Sequence, residues 1–231
     1  MKKTLIIVLL IILLVIIVAA VYKITNKNKS SNISVTPSAQ PSSVAPSFLL
    51  VASTPPSVTP SESPSISKYG LNYPIEQFKE RITKKPFGIY ITPDTSPVQP
   101  ERFAGYHTGA DVEFQDAESD VPVFAVNDGK VVFSDTVSGY GGVIMLEIDL
   151  NGSKHTVLYG HIRPSSLPNL GSNVNKGDQI GLLGTGYSTE TDGERRHLHF
   201  AILSDDRIDV LGYVQTQDAL SGWYNPLDYY N

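Results

Sequence analysis

Five side chains in this sequence have the types and spacing to hold one metal ion and to do acid–base work beside it. His107 lies four residues before Asp111, with Gly109 between them. His161 follows Leu158-Tyr159-Gly160, and His197 and His199 flank Leu198. Imidazole and carboxylate are ligands that zinc takes, and a zinc ion with an open position is a hydrolytic centre. One of these histidines alone would read as a core or surface residue; together, each in its own local context, they point to a site. Side chains alternate along a strand, so His197 and His199 face one way and Leu198 and Phe200 the other. The pair serves either as two ligands or as a ligand and an acid/base. Gly109 permits a turn that brings His107 and Asp111 to one point. His161 stands at a strand end, where the chain turns toward Pro164. The fifth histidine, His155, precedes His161 in an extended segment, about 20 Å away at ~3.3 Å per residue, and is expected to be structural or solvent-facing. Glu113, two residues beyond Asp111, is read as a surface acid in preference to a partner of the site.

The elements that must position these residues occupy only part of the chain. With no cysteine among 231 residues, disulfides, thiolate zinc sites, cysteine nucleophiles and a lipid-modified cysteine are excluded. The net charge is −5, unevenly spread: five of the 18 basic residues (Lys2, Lys3, Lys23, Lys27, Lys29) lie in the first thirty positions, which hold no acid. That leaves 13 basic against 23 acidic residues, a net −10, for the remainder. So acidic a region is a poor nucleic-acid binder.

Residues 1–29 read as an N-terminal membrane anchor. Leu5 to Tyr22 is an unbroken apolar run with lysines on both sides. At 1.5 Å per residue it spans roughly 27 Å, close to a bilayer's hydrocarbon thickness. It is longer than the usual ~7–15-residue signal core, so a retained anchor with the C-terminus outside is favoured over a cleaved signal peptide ending near Ala19-Ala20. Residues 30–67 are rich in Ser, Pro and Thr, with Glu62 their only charge. Such a segment buries too little to fold and reads as a disordered linker, about 115 Å long if fully extended. Residues 68–102 form a lead-in, with a short helix expected over Pro74–Ile82 and an extended run over Lys85–Glu101. Its place before His107 raises the expectation that it covers the site and restrains it.

From 103 to 231 short strand signals alternate with Gly, Asn and Asp. Strands are expected at Val121–Val126, at Lys130–Ser134 with Val131 and Phe133 on one face, at Gln179–Leu183 and at His197–Leu203. A hairpin is expected from Val143–Asp149 to Lys154–Gly160 across Leu150-Asn151-Gly152-Ser153. The class is mainly β, with antiparallel neighbours joined by tight turns.

From about Gly105 onward the sequence resembles the M23 family of zinc metallopeptidases, the LytM and lysostaphin-type cell-wall endopeptidases. The resemblance is carried by His107-x3-Asp111, Asp120-Val-Pro-Val-Phe-Ala-Val-Asn-Asp-Gly129, Gly139-Tyr-Gly141, Leu158-Tyr-Gly-His161, Val174-Asn-Lys-Gly177-Asp-Gln-Ile-Gly181, His197-Leu-His199-Phe and Asn225-Pro-Leu227. It implies a compact antiparallel β-fold of the duplicated hybrid motif-like type. It implies one Zn2+ held by His107, Asp111 and His199, with His161 and His197 catalytic, and attack by a zinc-bound water on peptide bonds in peptidoglycan cross-links or stem peptides. The protein would be an extracytoplasmic, membrane-anchored metalloendopeptidase. The alternative is a non-catalytic wall-binding member that activates another hydrolase; such members typically lose ligands, and this chain keeps them all. A 2-His-1-carboxylate iron oxygenase would leave His161 and His197 unexplained, and a structural zinc site would be closed by four protein ligands. The chain departs from the family in three places. Glu190 to Arg196 is a longer, charged loop where Gly-Pro usually precedes His-Leu-His. Ala201 replaces a common Glu, and Gly142 a common Asn. These departures bear on the groove wall and substrate preference.

Overall fold

The computed structural model describes residues 69–230, and the apolar run at 5–22 and the linker at 30–67 lie outside the described residues. Twelve strands follow one another: β1 (Tyr90–Ile91), β2 (Gly105–His107), β3 (Ala110–Glu113), β4 (Pro122–Phe124), β5 (Gly129–Val137), β6 (Gly141–Leu150), β7 (Ser153–Ile162), β8 (Asn173–Val174), β9 (Gln179–Leu182), β10 (His197–Leu203), β11 (Tyr213–Val214) and β12 (Trp223–Tyr224). All their pairings are antiparallel. The mainly β class expected from the sequence is therefore observed. The expected helix over Pro74–Ile82 is not: this stretch is a series of turns. Gln77 sits at φ +50°, a left-handed conformation that interrupts an α-helix.

The main sheet runs β12-β10-β7-β6-β5-β8, and β3 also pairs with β10. Its centre is the β6–β7 hairpin, whose two-residue turn has Asn151 at φ +56° and Gly152 at φ +85°. Two positive φ values match the right-handed twist of the flanking strands, which is why Asn-Gly marks such turns. Strict alternation sorts side chains onto two faces. Ile144, Leu146, Val157, Tyr159, Leu198, Phe200 and Ile202 enter one core with Phe78 and Tyr230. Val143, Met145, Leu158, Ala201 and Leu203 enter a second core with Tyr140, Val214 and Trp223. Covered on both faces, these strands are apolar at nearly every position.

One facing expectation fails. Val131 and Phe133 do not share a face, because the β5–β6 register shifts between them. Val131 joins the first core and Phe133 packs against the second. A bulge adds a residue to one strand and so reverses the alternation beyond it.

The segment before β2 is tied to β3 and β2 by backbone hydrogen bonds. Asp111 N–H donates to Lys85 O at 3.0 Å, Glu113 N–H to Arg81 O at 3.0 Å and His107 N–H to Ile89 O at 2.9 Å. β1 pairs with β2, and β2 with β11, in a small three-stranded sheet. The extended reading of Lys85–Glu101 thus contains a short strand, β1, that period and composition did not mark.

Candidate metal centre

β3 and β10 place the metal-binding residue types side by side. The register pairs Asp111 with His199 and Glu113 with His197. Leu198 and Phe200 enter the first core, so His197 and His199 face the other way, in line with Ala201 and Leu203. His107 comes from the end of β2. The three ligand atoms nearly form an equilateral triangle. His107 Nε2 and His199 Nδ1 are 3.0 Å apart, His199 Nδ1 and Asp111 Oδ1 are 3.1 Å apart, and His107 Nε2 and Asp111 Oδ1 are 3.2 Å apart. Bonds of ~2.0–2.1 Å in tetrahedral geometry put neighbouring ligand atoms about 3.3 Å apart. All three residues are buried.

The protonation pattern also fits a cation. His107 Nδ1 lies 3.2 Å from Pro86 O. A carbonyl can only accept, so that nitrogen carries the proton, and in the neutral ring Nε2 is left with a lone pair. It therefore faces a carboxylate oxygen lone pair to lone pair, with His199 Nδ1 as the third corner. One proton on His199 cannot satisfy this cluster, whereas a divalent cation at its centre can. Among the described residues, no other His/Asp/Glu group has this geometry.

The two remaining histidines flank the triangle, with ring centroids 4.1 Å apart. His197 Nδ1 donates to Arg195 O at 2.8 Å. That sets the tautomer and leaves Nε2 as acceptor, 3.4 Å from Asp111 Oδ2. Burial, reinforced by the Arg195 charge, pushes the His197 ring well below the ordinary imidazole range. His161 is pushed down to about 3, chiefly by burial and against the pull of Asp111. Both rings are neutral at ordinary pH. His161 Nδ1 is buried with no hydrogen-bond partner, and its backbone is at φ +62°. The pairing of β6 with β7 jumps from Gly142–Ile162 to Val143–Gly160, so His161 is the extra residue of a β-bulge. Bulges re-aim a side chain, and left-handed φ at a non-glycine residue is a local strain that collects at functional sites.

Two glycines are required by close approach. A Cβ on Gly109 would lie 2.5 Å from Phe200 O and 2.9 Å from His199 Nε2; one on Gly160 would lie 2.5 Å from the Tyr140 ring. Gly109 therefore serves less as a turn than as the space that lets β3 lie against β10. Tyr140 packs against His161 and His199, with centroid distances of 5.2 and 5.3 Å.

All five residues marked in the sequence are brought together. His155 is apart, buried with Nδ1 3.1 Å from Leu203 O, in the structural role expected. Glu113 corrects its reading as a surface acid: it is 8% exposed and forked by Arg195 through Nε at 3.0 Å and Nη2 at 2.7 Å. Arg195 is itself 2% exposed and reaches Asp111 Oδ2 through Nη2 at 2.7 Å. Burial would raise the Asp111 pKa, but its hydrogen-bond and charge partners, the buried Arg195 guanidinium among them, hold its carboxyl well below the usual range. The signal for Glu113 was the two-residue period, since 111 and 113 share a face of β3; Arg195 lies just before β10 and had no such signal.

The site opens into a groove of about 330 Å³, lined by Phe103, Tyr140, Val210, Leu211 and Tyr213 around His161, His197 and His199. Glu194 also lines the groove and accepts from Arg102 Nε at 2.9 Å, while Arg102 Nη2 donates to the Asp192 carbonyl at 2.7 Å.

Comparison with known proteins adds a family. Residues 105–210 match peptidase family M23. No curated protein matches the chain. Among solved structures, the chain is similar to Helicobacter pylori Csd3, with 23% identity over 70% of this chain and a TM-score of 0.43; it spans 34% of that chain's length. It is similar to LytU, with 26% identity over 63% of this chain and 81% of that one, at TM-score 0.42. It is also similar to a chain of the SpoIIQ–SpoIIIAH pore forming complex, with 20% identity over 70% of this chain and 90% of that one, at TM-score 0.45.

Proposed function

Given that residues 105–210 belong to peptidase family M23, we propose that this protein is a zinc-dependent endopeptidase cleaving peptide bonds of peptidoglycan. The observation that carries the reading is the triangle of His107 Nε2, Asp111 Oδ1 and His199 Nδ1, with two neutral imidazoles beside it at the floor of a groove. His107, Asp111 and His199 would hold the ion. Three protein ligands leave a position open, at which zinc, when bound, activates water and polarises a carbonyl.

The chain's own residues supply the rest. His197 Nε2, deprotonated because Nδ1 is committed to Arg195 O, accepts a proton in the attack and returns it to the leaving amine. Neutral at working pH, it is ready to accept. His161, fixed by its bulge, stands beside the charge that develops on the carbonyl oxygen and stabilises it in the tautomer that carries the proton on Nδ1. Phe103, Tyr140 and Tyr213 exclude water from the groove and offer apolar walls to a peptide backbone with small side chains. We place the domain outside the membrane, tethered by the apolar run at 5–22, with the Ser/Pro-rich 30–67 stretch giving it reach into the wall.

Incubation of purified protein with peptidoglycans of several cross-link types, followed by mass spectrometry of the fragments, tests this. The expected result is new peptide termini that vanish with a chelator and with His197→Ala. Wall binding with no new termini on any substrate would instead identify a partner of another hydrolase.

A further inference from the structure

We propose that Arg195, oriented by Glu113, is a positioning residue that makes Asp111 a one-oxygen ligand. This rests on the metal reading above. Asp111 has two oxygens with different company. Oδ1 lies against His107 Nε2 and His199 Nδ1, while Oδ2 receives Arg195 Nη2 at 2.7 Å. A carboxylate with both oxygens free can rotate or bind a cation through both. With Oδ2 held by a guanidinium, only Oδ1 remains for the ion.

The guanidinium in turn has no freedom. Glu113 takes Nε at 3.0 Å and Nη2 at 2.7 Å in a fork, the geometry in which arginine and carboxylate bind most directionally. Glu113 also balances the charge, since an uncompensated guanidinium beside Asp111 would repel a divalent cation. Arg195 also acts on the other side of the site, where its backbone carbonyl accepts from His197 Nδ1. Arg195 thus fixes a metal-holding oxygen with its side chain and a catalytic tautomer with its backbone.

Stability alone does not account for this arrangement. A buried ion pair or triad often adds little net stability over apolar residues of like volume. Arg195-Arg196 stands where the family usually has Gly-Pro, and a glycine there would leave Oδ2 without this donor.

The test uses the full chain, purified and stripped of metal. Zinc affinity is measured by competition with a chromophoric chelator, and Co2+ loading is followed by its visible spectrum, which reports coordination number. Arg195→Ala is expected to weaken zinc about 10- to 100-fold, the range for partners that orient a ligand. Its Co2+ bands are expected to lose intensity as Asp111 binds through both oxygens. Arg195→Lys is expected to recover folding and part of the affinity, but not the spectrum, because an ammonium lacks the fork. Glu113→Gln is expected to show the same spectral change with weaker binding. If Arg195→Ala does not fold, the other two variants decide: an altered spectrum supports the assignment, and wild-type affinity and spectrum overturn it. A wild-type chain that takes up neither ion overturns the metal reading itself; normal wild-type binding with unaltered variants overturns the positioning role alone.

Discussion

His161 and His199 stand within one cluster of rings, yet the proposed function gives them different work, and it does so on the geometry around each residue. His199 offers Nδ1 to the triangle, whereas His161 lies outside it on a bulge with its Nδ1 unpartnered. His161→Ala is therefore expected to retain zinc and to lose about 10²–10⁴ in turnover, the usual span for a general acid or base. Parallel metal analysis and peptide-release assays check it, and loss of the metal would move His161 into the ligand set. Gly160→Ala would drive a Cβ to 2.5 Å from the Tyr140 ring. Overpacking of this kind costs about 1–3 kcal/mol, read as a lowered urea midpoint, and an unchanged midpoint would show that Tyr140 yields freely. At this scale the sequence was highly legible. The five chemical residues stood out because histidine and aspartate at those spacings have little else to do. Glu113 and Arg195 escaped because a lone acid or base in sequence reads as solvated. Only the pairing of β3 with β10 shows that they meet in a buried place.

The elements that carry the site depend on the chain before it. The 69–102 segment gives Pro86 O to His107 and backbone acceptors to Asp111 and Glu113. Phe103 and Lys85 also line the groove. A chain beginning at Phe103 is thus expected to lose metal affinity along with its fold, not to gain activity; greater peptide release from the shortened chain would restore the idea of a restraining cover. Lys85 and Glu101 hold this segment in place as a buried ion pair, each side chain 2% exposed. Burial alone would raise the Glu101 pKa, but Lys85, the Phe103 N–H and Ser96 lower it below its ordinary value of about 4.3. A depressed carboxylate stabilises fully above that ordinary value and loses its contribution as pH falls through the folded value. The stability gap between wild type and Glu101→Gln in urea melts should accordingly shrink between pH 7 and pH 3, and a gap that widens toward acid contradicts the assignment. In the core, Phe200 meets Phe78, Tyr159 and Tyr230, so Phe200→Ala is expected to cost about 3–5 kcal/mol. The long strands and the Asn-Gly hairpin could be read from alternation and turn chemistry. The two-residue strands β1, β8, β11 and β12 could not, because they are too short to show a period. Neither could the bulges at Val131/Phe133 and His161, which are set by the partner strand.

At the scale of the molecule, a catalytic domain, a Ser/Pro-rich linker and an apolar N-terminal run make one proposal, an enzyme held at the membrane surface and working outward into the wall. Charge agrees with it, since basic residues gather beside the apolar run and the rest is acidic. The whole proposal depends on how the metal centre divides its histidines, and zinc content of the purified chain tests that division most directly. His197 and His199 are two residues apart on one strand face, equally buried at 3% exposure, so burial alone does not distinguish them. His197→Ala is predicted to retain about one zinc per chain and His199→Ala to retain essentially none, as three-ligand coordination requires. Zinc lost from both variants, or kept by both, would contradict the division into three ligands and two catalytic rings.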